Sequence, residues 1–284
     1  MHRTDDRVGC RPESFRRVAL CAFSWPAIAV CAAVAASGAA AMAEEDAAAG
    51  NVPAQQQHQL APALEHARAA RAAVEEAKDY QAVFSKRERV KGRLGEPQSM
   101  HVKIRHEPFS VYLRFVRPHE GREVLYVEGK NDGNLLAHET GIRGLVGTVR
   151  LLPTSERAMA ESRFPITMMG MRTLVDGVIS QWEQETQFGE TNVKYYPEAK
   201  LGEMECYVIE SSHPRPRKQF KFQLTRLYIE KATRMPVRVE QYGFPTRAGE
   251  APPLMEEYTY SNLRVNAGLT DVDFDERNPN YGFD

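Results

Sequence analysis

The amino-acid sequence predicts an α+β fold: one strongly curved antiparallel sheet, an unclosed half-barrel, covered by helices. Three observations predict it. The apolar period switches from about 3.6 residues to 2 near Tyr80, the change expected where a helix gives way to strands. The alternating runs that follow are joined by short segments rich in Gly and Pro, which suit hairpins rather than parallel crossovers. A helix-periodic stretch, Ile166 to Glu185, interrupts the strands midway, and such a helix has to bury its apolar face against the sheet.

The chain begins with a segment unlike the rest. Arg11, Arg16 and Arg17 precede an apolar, Ala-rich run from Val18 to Ala41. Ala41-Met42-Ala43 then gives way to Glu44, Glu45 and Asp46. Small residues before an acidic start mark a signal-peptidase site, so residues 1–43 read as a signal peptide cleaved after Ala43. The alternative is a retained membrane anchor, against which Pro26 and the weak hydrophobicity of the Ala-rich half both count. Export to the periplasm or cell envelope is the expected localisation. Residues 44–60, rich in Ala and Gln, read as a disordered tether, and residues 61–284 as a single domain.

Within that domain a helix is expected from about Pro62 to Lys78, with Leu64, Ala67, Val74 and Ala77 on its apolar face. Strands follow around Tyr80–Phe84, Met100–Ile104 and Val111–Phe115. Glu123 to Glu128 and Asn134 to His138 form another pair across Gly-Lys-Asn-Asp-Gly, a hairpin signal, and Gly147 to Leu152 adds one more. In the helical interruption Leu174, Val178, Ile179 and Trp182 are helically spaced. Strands resume at Asn192–Tyr196, Cys206–Ser211, Gln223–Glu230, Val237–Tyr242 and Glu256–Val265. The prolines at 214, 216, 236, 245, 252 and 253 fall between these runs, where they remove no ladder donor.

Charge and cysteine content narrow the function classes. Without its first 43 residues the chain carries 32 basic and 35 acidic residues, a net of −3, so it lacks the basic excess of a general nucleic-acid binder. The same cleavage leaves Cys206 as the sole cysteine, which excludes an internal disulfide; its place in an alternating run marks a buried strand residue. About 240 residues suffice for a core without such staples.

The stretch from Phe84-Ser-Lys-Arg-Glu-Arg through Val102-Lys-Ile-Arg-His-Glu-Pro-Phe-Ser-Val-Tyr-Leu to Tyr126-Val-Glu-Gly-Lys-Asn-Asp-Gly-Asn-Leu-Leu-Ala-His-Glu resembles an exported bacterial family of unknown function, found chiefly in planctomycetes. Glu256-Glu-Tyr-Thr-Tyr-Ser-Asn-Leu and Gly268-Leu-Thr-Asp-Val-Asp-Phe match its ending, so the resemblance spans nearly all of the mature chain. More distantly, the order of elements is similar to the lipoprotein-carrier fold of LolA, LolB and the sigma-factor regulator RseB. That likeness implies a LolA-like curved sheet and a helical lid around an apolar cavity. It brings no binding residue with it, and the closer family implies no established activity.

Searches for chemistry return little. His101 and His106 are five apart, which in a regular strand puts them on opposite faces; His138 and His213 stand alone. No zinc spacing is present. Asp271-Val-Asp-Phe-Asp-Glu opens like a calcium loop, but Glu276 and Gly282 occupy the positions that need Gly and Glu. A short capped turn pinned by Phe274 is the better reading. With no nucleophile elbow, Ser-x-x-Lys or phosphate-cradling loop, no catalytic residue, metal or cofactor is expected, and the protein reads as no enzyme.

Two surfaces remain. Phe84, Met100, Ile104, Leu113 and Phe115 should line one side of the sheet, with Met168, Met169 and Trp182 facing them from the helices. Ordinary core filling is one reading; an apolar ligand site under an adaptable Met-rich lid is the other. Lys86, Arg87 and Arg89, and Arg215, Arg217 and Lys218, form basic segments that suit either a solvated edge or contact with anionic headgroups or an acidic polymer. The expected function is a non-enzymatic envelope protein that binds or carries an apolar ligand, a lipid or a lipidated protein. The alternative is a protein-interaction or sensory module of RseB type, and a hydrolase without a recognisable motif comes last.

Overall fold

Ala61–Glu76 forms the first helix (α1), with Pro62 in its first turn, where the missing N–H is no loss. The computed structural model describes residues 57–141, 147–247 and 249–283. The expected signal peptide, its cleavage site and most of the expected tether lie outside the described residues. The tether's last residues are placed, however: Leu60 is fully buried and His58 Nε2 lies 2.9 Å from the Phe188 carbonyl oxygen.

Twelve strands form one antiparallel sheet: β1 (Asp79–Val90), β2 (Arg93–Leu94), β3 (Gln98–Arg105), β4 (Ser110–Arg117), β5 (Glu123–Val127), β6 (Leu135–His138), β7 (Val149–Leu151), β8 (Asn192–Leu201), β9 (Met204–Ser212), β10 (Leu224–Glu230), β11 (Pro236–Tyr242) and β12 (Leu254–Val265). Their order across the sheet is β7-β6-β5-β4-β3-β1-β12-β11-β10-β9-β8, with β2 folded back on β1. The fold class is the one the periodicity predicts, an unclosed antiparallel sheet with helices on it. Register shifts within β1/β12, β3/β4, β8/β9, β10/β11 and β11/β12 mark bulges, which sharpen twist and bend the sheet.

This strand order dictates where the lid runs. The first meander ends at one edge, β7, and the second starts at the opposite edge, β8. The chain between them, residues 152–191, therefore crosses a sheet face, carrying the second helix, α2 (Met171–Glu185). Met171, Val175, Val178, Ile179 and Trp182 recur at helical spacing and are buried. Alanines at 63, 67, 70 and 73 let α1 pack closely beside them, and Arg68–Glu183 (2.7 Å), Arg71–Asp176 (2.5 Å) and Arg172–Glu75 (3.2 Å) join the helices at the surface.

One departure from the sequence expectation matters. β1 does not stop near Phe84 but continues through the basic run to Val90, because Lys86 and Glu88 stay on the inward face and find partners there. The Gly-Lys-Asn-Asp-Gly connection joins β5 and β6 as the expected hairpin, with Asn131 (φ 53°) and Asp132 (φ 54°) in left-handed backbone between Gly129 and Gly133.

The sheet's faces are covered differently. α1 and α2 press on the inward residues Ile209, Leu227 and Val239. On the opposite face of the same strands, Glu210, Arg226 and Glu240 stand in register as an ion ladder, with Arg226 Nε 2.6 Å from Glu210 and NH1 3.2 Å from Glu240. Over the outward side of β4, β5 and β6 lies the C-terminal segment, which packs Leu269, Phe274, Tyr281 and Phe283 onto Tyr112, Leu125, Val127 and Leu136. Its turn is closed by Thr270 N–H donating to Asp273 (2.9 Å), and Phe274 is 1% exposed, as the capped-turn reading expects. Cys206 is buried in β9, and burial pushes its thiol pKa up.

Candidate ligand groove

Between the lid and the inward face lies an open cavity of about 410 Å³, within the range of about 300–1,000 Å³ typical of small-molecule sites. Its floor follows from strand register. Phe84 on β1 lies opposite Tyr260 on β12. Two residues along, Lys86 faces Tyr258, which faces Val239 on β11. Two further on, Glu88 faces Glu256, which faces Gln241. The floor thus passes from aromatic to charged and amide groups within four residues of β1, since alternate residues share a face.

The roof comes from Phe164 to Gly170 and from α2 residues that include Thr173, Leu174, Gly177, Gln181 and Gln184. Gly177 matters because a Cβ there would meet no atom within 4 Å, so the helix leaves open space over the floor. Gly170 does the opposite job. Its φ of +120° suits glycine, and a Cβ would come within 3.1 Å of the Tyr80 hydroxyl, which accepts the Met171 N–H at 3.0 Å. The lid is pinned to the sheet there.

At the polar end Glu88 and Glu256 are both 5% exposed. Two carboxylates facing each other across a strand pair are unfavourable unless countered. Lys86 supplies one counter-charge, 2.9 Å from Glu88, and the Tyr258 hydroxyl also donates to Glu88. Arg163, from the lid, lies 2.6 Å from Glu256. Burial still dominates at Glu256 and holds its pKa above the ordinary carboxylate value, with Arg163 and Lys221 opposing and Glu88 reinforcing the rise. Burial likewise pushes the Tyr258 hydroxyl up, and the two neighbouring glutamates add to it.

Above this end a buried network ties α2 to the sheet. Gln241 Nε2 donates to Gln181 (2.8 Å), and Gln181 Nε2 donates to Glu185 (2.9 Å) and Thr225 (3.1 Å). Glu185, 1% exposed, sits 3.1 Å from His213 Nε2, and that imidazole stacks on Phe220 with centroids 3.7 Å apart. Thr191 Oγ1 lies 3.4 Å from His213 Nδ1, and neither Thr191 nor His213 lines the cavity. Among the described residues no group of His, Cys, Asp and Glu is placed to hold a metal. The acids of the C-terminal turn are paired with cations: Asp271 with Arg105 and Asp273 with Lys103, each at 2.7 Å.

Of the residues the sequence offered as ligand contacts, Phe84, Met168 and Met169 line this cavity. Met100, Ile104, Leu113 and Phe115 lie instead in the closed core beside it, clustered with Ile166, Met169 and Met171 of the lid, where Gly170 comes close to Ile104. Trp182 points the other way, fully buried between the helices and β9, donating to Ser211 at 2.9 Å. The basic residues are scattered rather than pooled. Lys86 gives its three N–H groups to Glu88, Ser162 and the Glu161 carbonyl. Arg87 and Arg89 bond backbone carbonyls, Arg217 pairs with Glu190, and Arg215 and Lys218 are exposed. Sequence reasoning missed Glu88, Gly177, Gln241, Glu256 and Tyr258. The alternation that flagged Tyr80, Ala82 and Phe84 would have reached Glu88 had it been carried through the charged run.

A family model described as a protein of unknown function (DUF1571) matches residues 77–283. No curated protein matches the sequence. Among solved structures, the Mycobacterium tuberculosis lipoprotein LppX is similar at 15% identity and TM-score 0.43, over 74% of this chain and 98% of that one. MucB of Pseudomonas aeruginosa, solved with MucA, matches at 12% identity and TM-score 0.44, over 76% of this chain and 61% of its own. A LolA superfamily protein from Nitrosomonas europaea matches at 13% and 0.29, over 72% and 97%. Values this low leave the residues of the groove as the basis for any functional reading.

Proposed function

This chain belongs to the DUF1571 family, and from that premise we propose that it is a non-enzymatic protein of the cell envelope that binds or carries an apolar chain in the groove beneath its lid. The observation that carries the proposal is the cavity itself, roofed by Met168, Met169 and Leu174 and floored by Phe84, Tyr258 and Tyr260. Methionines and aromatic rings adapt to flexible apolar ligands and present no reactive group to them. Of the acids that line it, Glu88 and Glu256 are engaged by Lys86, Tyr258 and Arg163 and Glu185 by Gln181, which makes them a bracket for the lid rather than an acid–base pair. Export supplies the setting: residues 1–43 direct the chain out of the cytoplasm and are removed after Ala43. N-terminal sequencing of the envelope fraction tests that part directly, and a protein starting at Met1 would overturn it.

Binding is tested by native mass spectrometry after gentle purification, and by displacement of a fluorescent fatty acid. The wild-type protein should carry or take up an acyl species. Gly177→Leu should abolish uptake, because the new side chain enters open space over the floor, while the fold stays as stable or gains. Undiminished uptake by a folded Gly177→Leu protein would place the ligand elsewhere and end the proposal.

A further inference from the structure

Resting on the groove being a ligand site, we propose that its occupant is an amphiphile whose head donates hydrogen bonds and carries no negative charge, a polyol such as a sugar or an amine. That head sits at Glu256, Gln241 and Glu185. The floor fixes the orientation: the tail lies over Phe84 and Tyr260, and the head over the charged and amide end two strand repeats away.

That end is rich in acceptors. Glu185 lines the cavity, is 1% exposed, and its Oε2 receives no hydrogen bond from the protein. Buried carboxylate oxygens in native proteins almost always find a donor, so a donor from a molecule in the groove fits this one. The nearby amide nitrogens are turned away from that oxygen: Gln241 donates to Gln181, and Gln181 donates to Glu185 Oε1 and Thr225. Cations that an anionic head would need are committed. All three Lys86 donors are used, and Arg163 faces Glu256 and donates to the Arg89 carbonyl at 3.0 Å. Lys221 remains, an exposed side chain over the Phe222 ring. A phosphate or carboxylate head would meet Glu88, Glu185 and Glu256 with one exposed lysine to oppose them.

The test uses the purified protein and four amphiphiles sharing one dodecyl tail, each below its micelle concentration: the maltoside, the primary amine, the phosphate and the trimethylammonium. Isothermal titration should give the maltoside or the amine an affinity about tenfold above the phosphate, the worth of one hydrogen bond to a charged group. Whichever of the two wins identifies the source of the donors. The trimethylammonium, cationic but without donors, escapes the repulsion that weakens the phosphate, yet should still bind more weakly than the favoured head because it makes no hydrogen bond. Equal binding of all four, a phosphate preference, or a trimethylammonium equal to the amine would overturn the head-group assignment and leave the groove intact; no binding by any of them would remove the groove reading too. Glu185→Gln should lower the favoured head's affinity about tenfold by the same bond. Should the loss of its His213 contact unfold that variant, Gln184→Leu, at an exposed helix position, should still narrow the gap between the favoured head and the phosphate.

Discussion

The two sides of this sheet are covered by different kinds of chain, and only one is left with room. On the outward side of β4, β5 and β6 the C-terminal segment lies directly on the strands, with Tyr281 stacked on Tyr112 at 3.9 Å and Phe274 sealed beneath. On the inward side the cover is a chain that must travel from one sheet edge to the other, with a rigid helix in the middle of the journey. A rigid helix cannot bury every side at once: α2 packs Met171, Val175 and Trp182 inward, while Gly177, Gln181 and Gln184 border the open space. Flexible aromatic-rich chain fills; a spanning helix leaves a groove.

Deletion of volume should separate the two sides most sharply. Phe274→Ala, on the filled side, should lower unfolding free energy by about 3–5 kcal/mol in urea titrations, the usual cost of emptying a buried aromatic site. Met168→Ala, on the groove side, removes a side chain that is 46% exposed and should cost under about 1 kcal/mol. Comparable losses at the two positions would mean that the groove is part of the packed core.

Acid should also divide them, in opposite directions. Hydrogen bonding and attraction to Arg105 hold Asp271 below its ordinary value of 3.8. At Asp273 burial works the other way, but bonds from Lys103 and Thr270 outweigh it and the pKa is lowered too. Such groups bind fewer protons folded than unfolded, so the stability they give is present above about pH 4 and is lost as pH falls through their lowered values. Glu256, raised above 4.5, binds its proton more readily in the folded state, so its contribution grows as pH falls toward 4.5 and is lost as pH rises through its folded value. Amide exchange between pH 6 and 3 should therefore show the C-terminal segment loosening first, with the Glu256 region of β12 protected. Glu256→Gln should flatten the groove's share of that profile while leaving the C-terminal share unchanged.

The smallest expected effect is a gain. Gly177→Ala should stabilise the protein by about 0.5–1 kcal/mol through helix propensity alone, since no atom stands where its Cβ would go. A loss would show that α2 sits closer to the floor than its backbone indicates.

How much of this was legible in advance differs by element. Nearly every strand announced itself by period-2 alternation, and the last turn by Thr270 and Phe274. The floor of the groove was half visible: Phe84 sits in an alternating run, but Lys86 and Glu88 look like a solvated edge until Tyr258 and Glu256 are known to lie opposite them. Met100, Ile104, Leu113 and Phe115 share one apolar face with Phe84, and nothing local distinguishes the part of that face the lid covers tightly from the part it spans. Trp182 shows the same limit on a helix, since periodicity places it on a buried face without saying which neighbour receives it.

What the sequence determined by itself was period, and period is local: backbone pleat and helical pitch fix which residues share a face before any partner arrives. It therefore specified an antiparallel, helix-covered sheet. What only the tertiary structure decided was the groove. That depends on β7 and β8 lying at opposite edges, on which strands α2 crosses, and on the register that sets Glu88 against Glu256 across about 170 residues of chain, pairings long in sequence and written in no single segment.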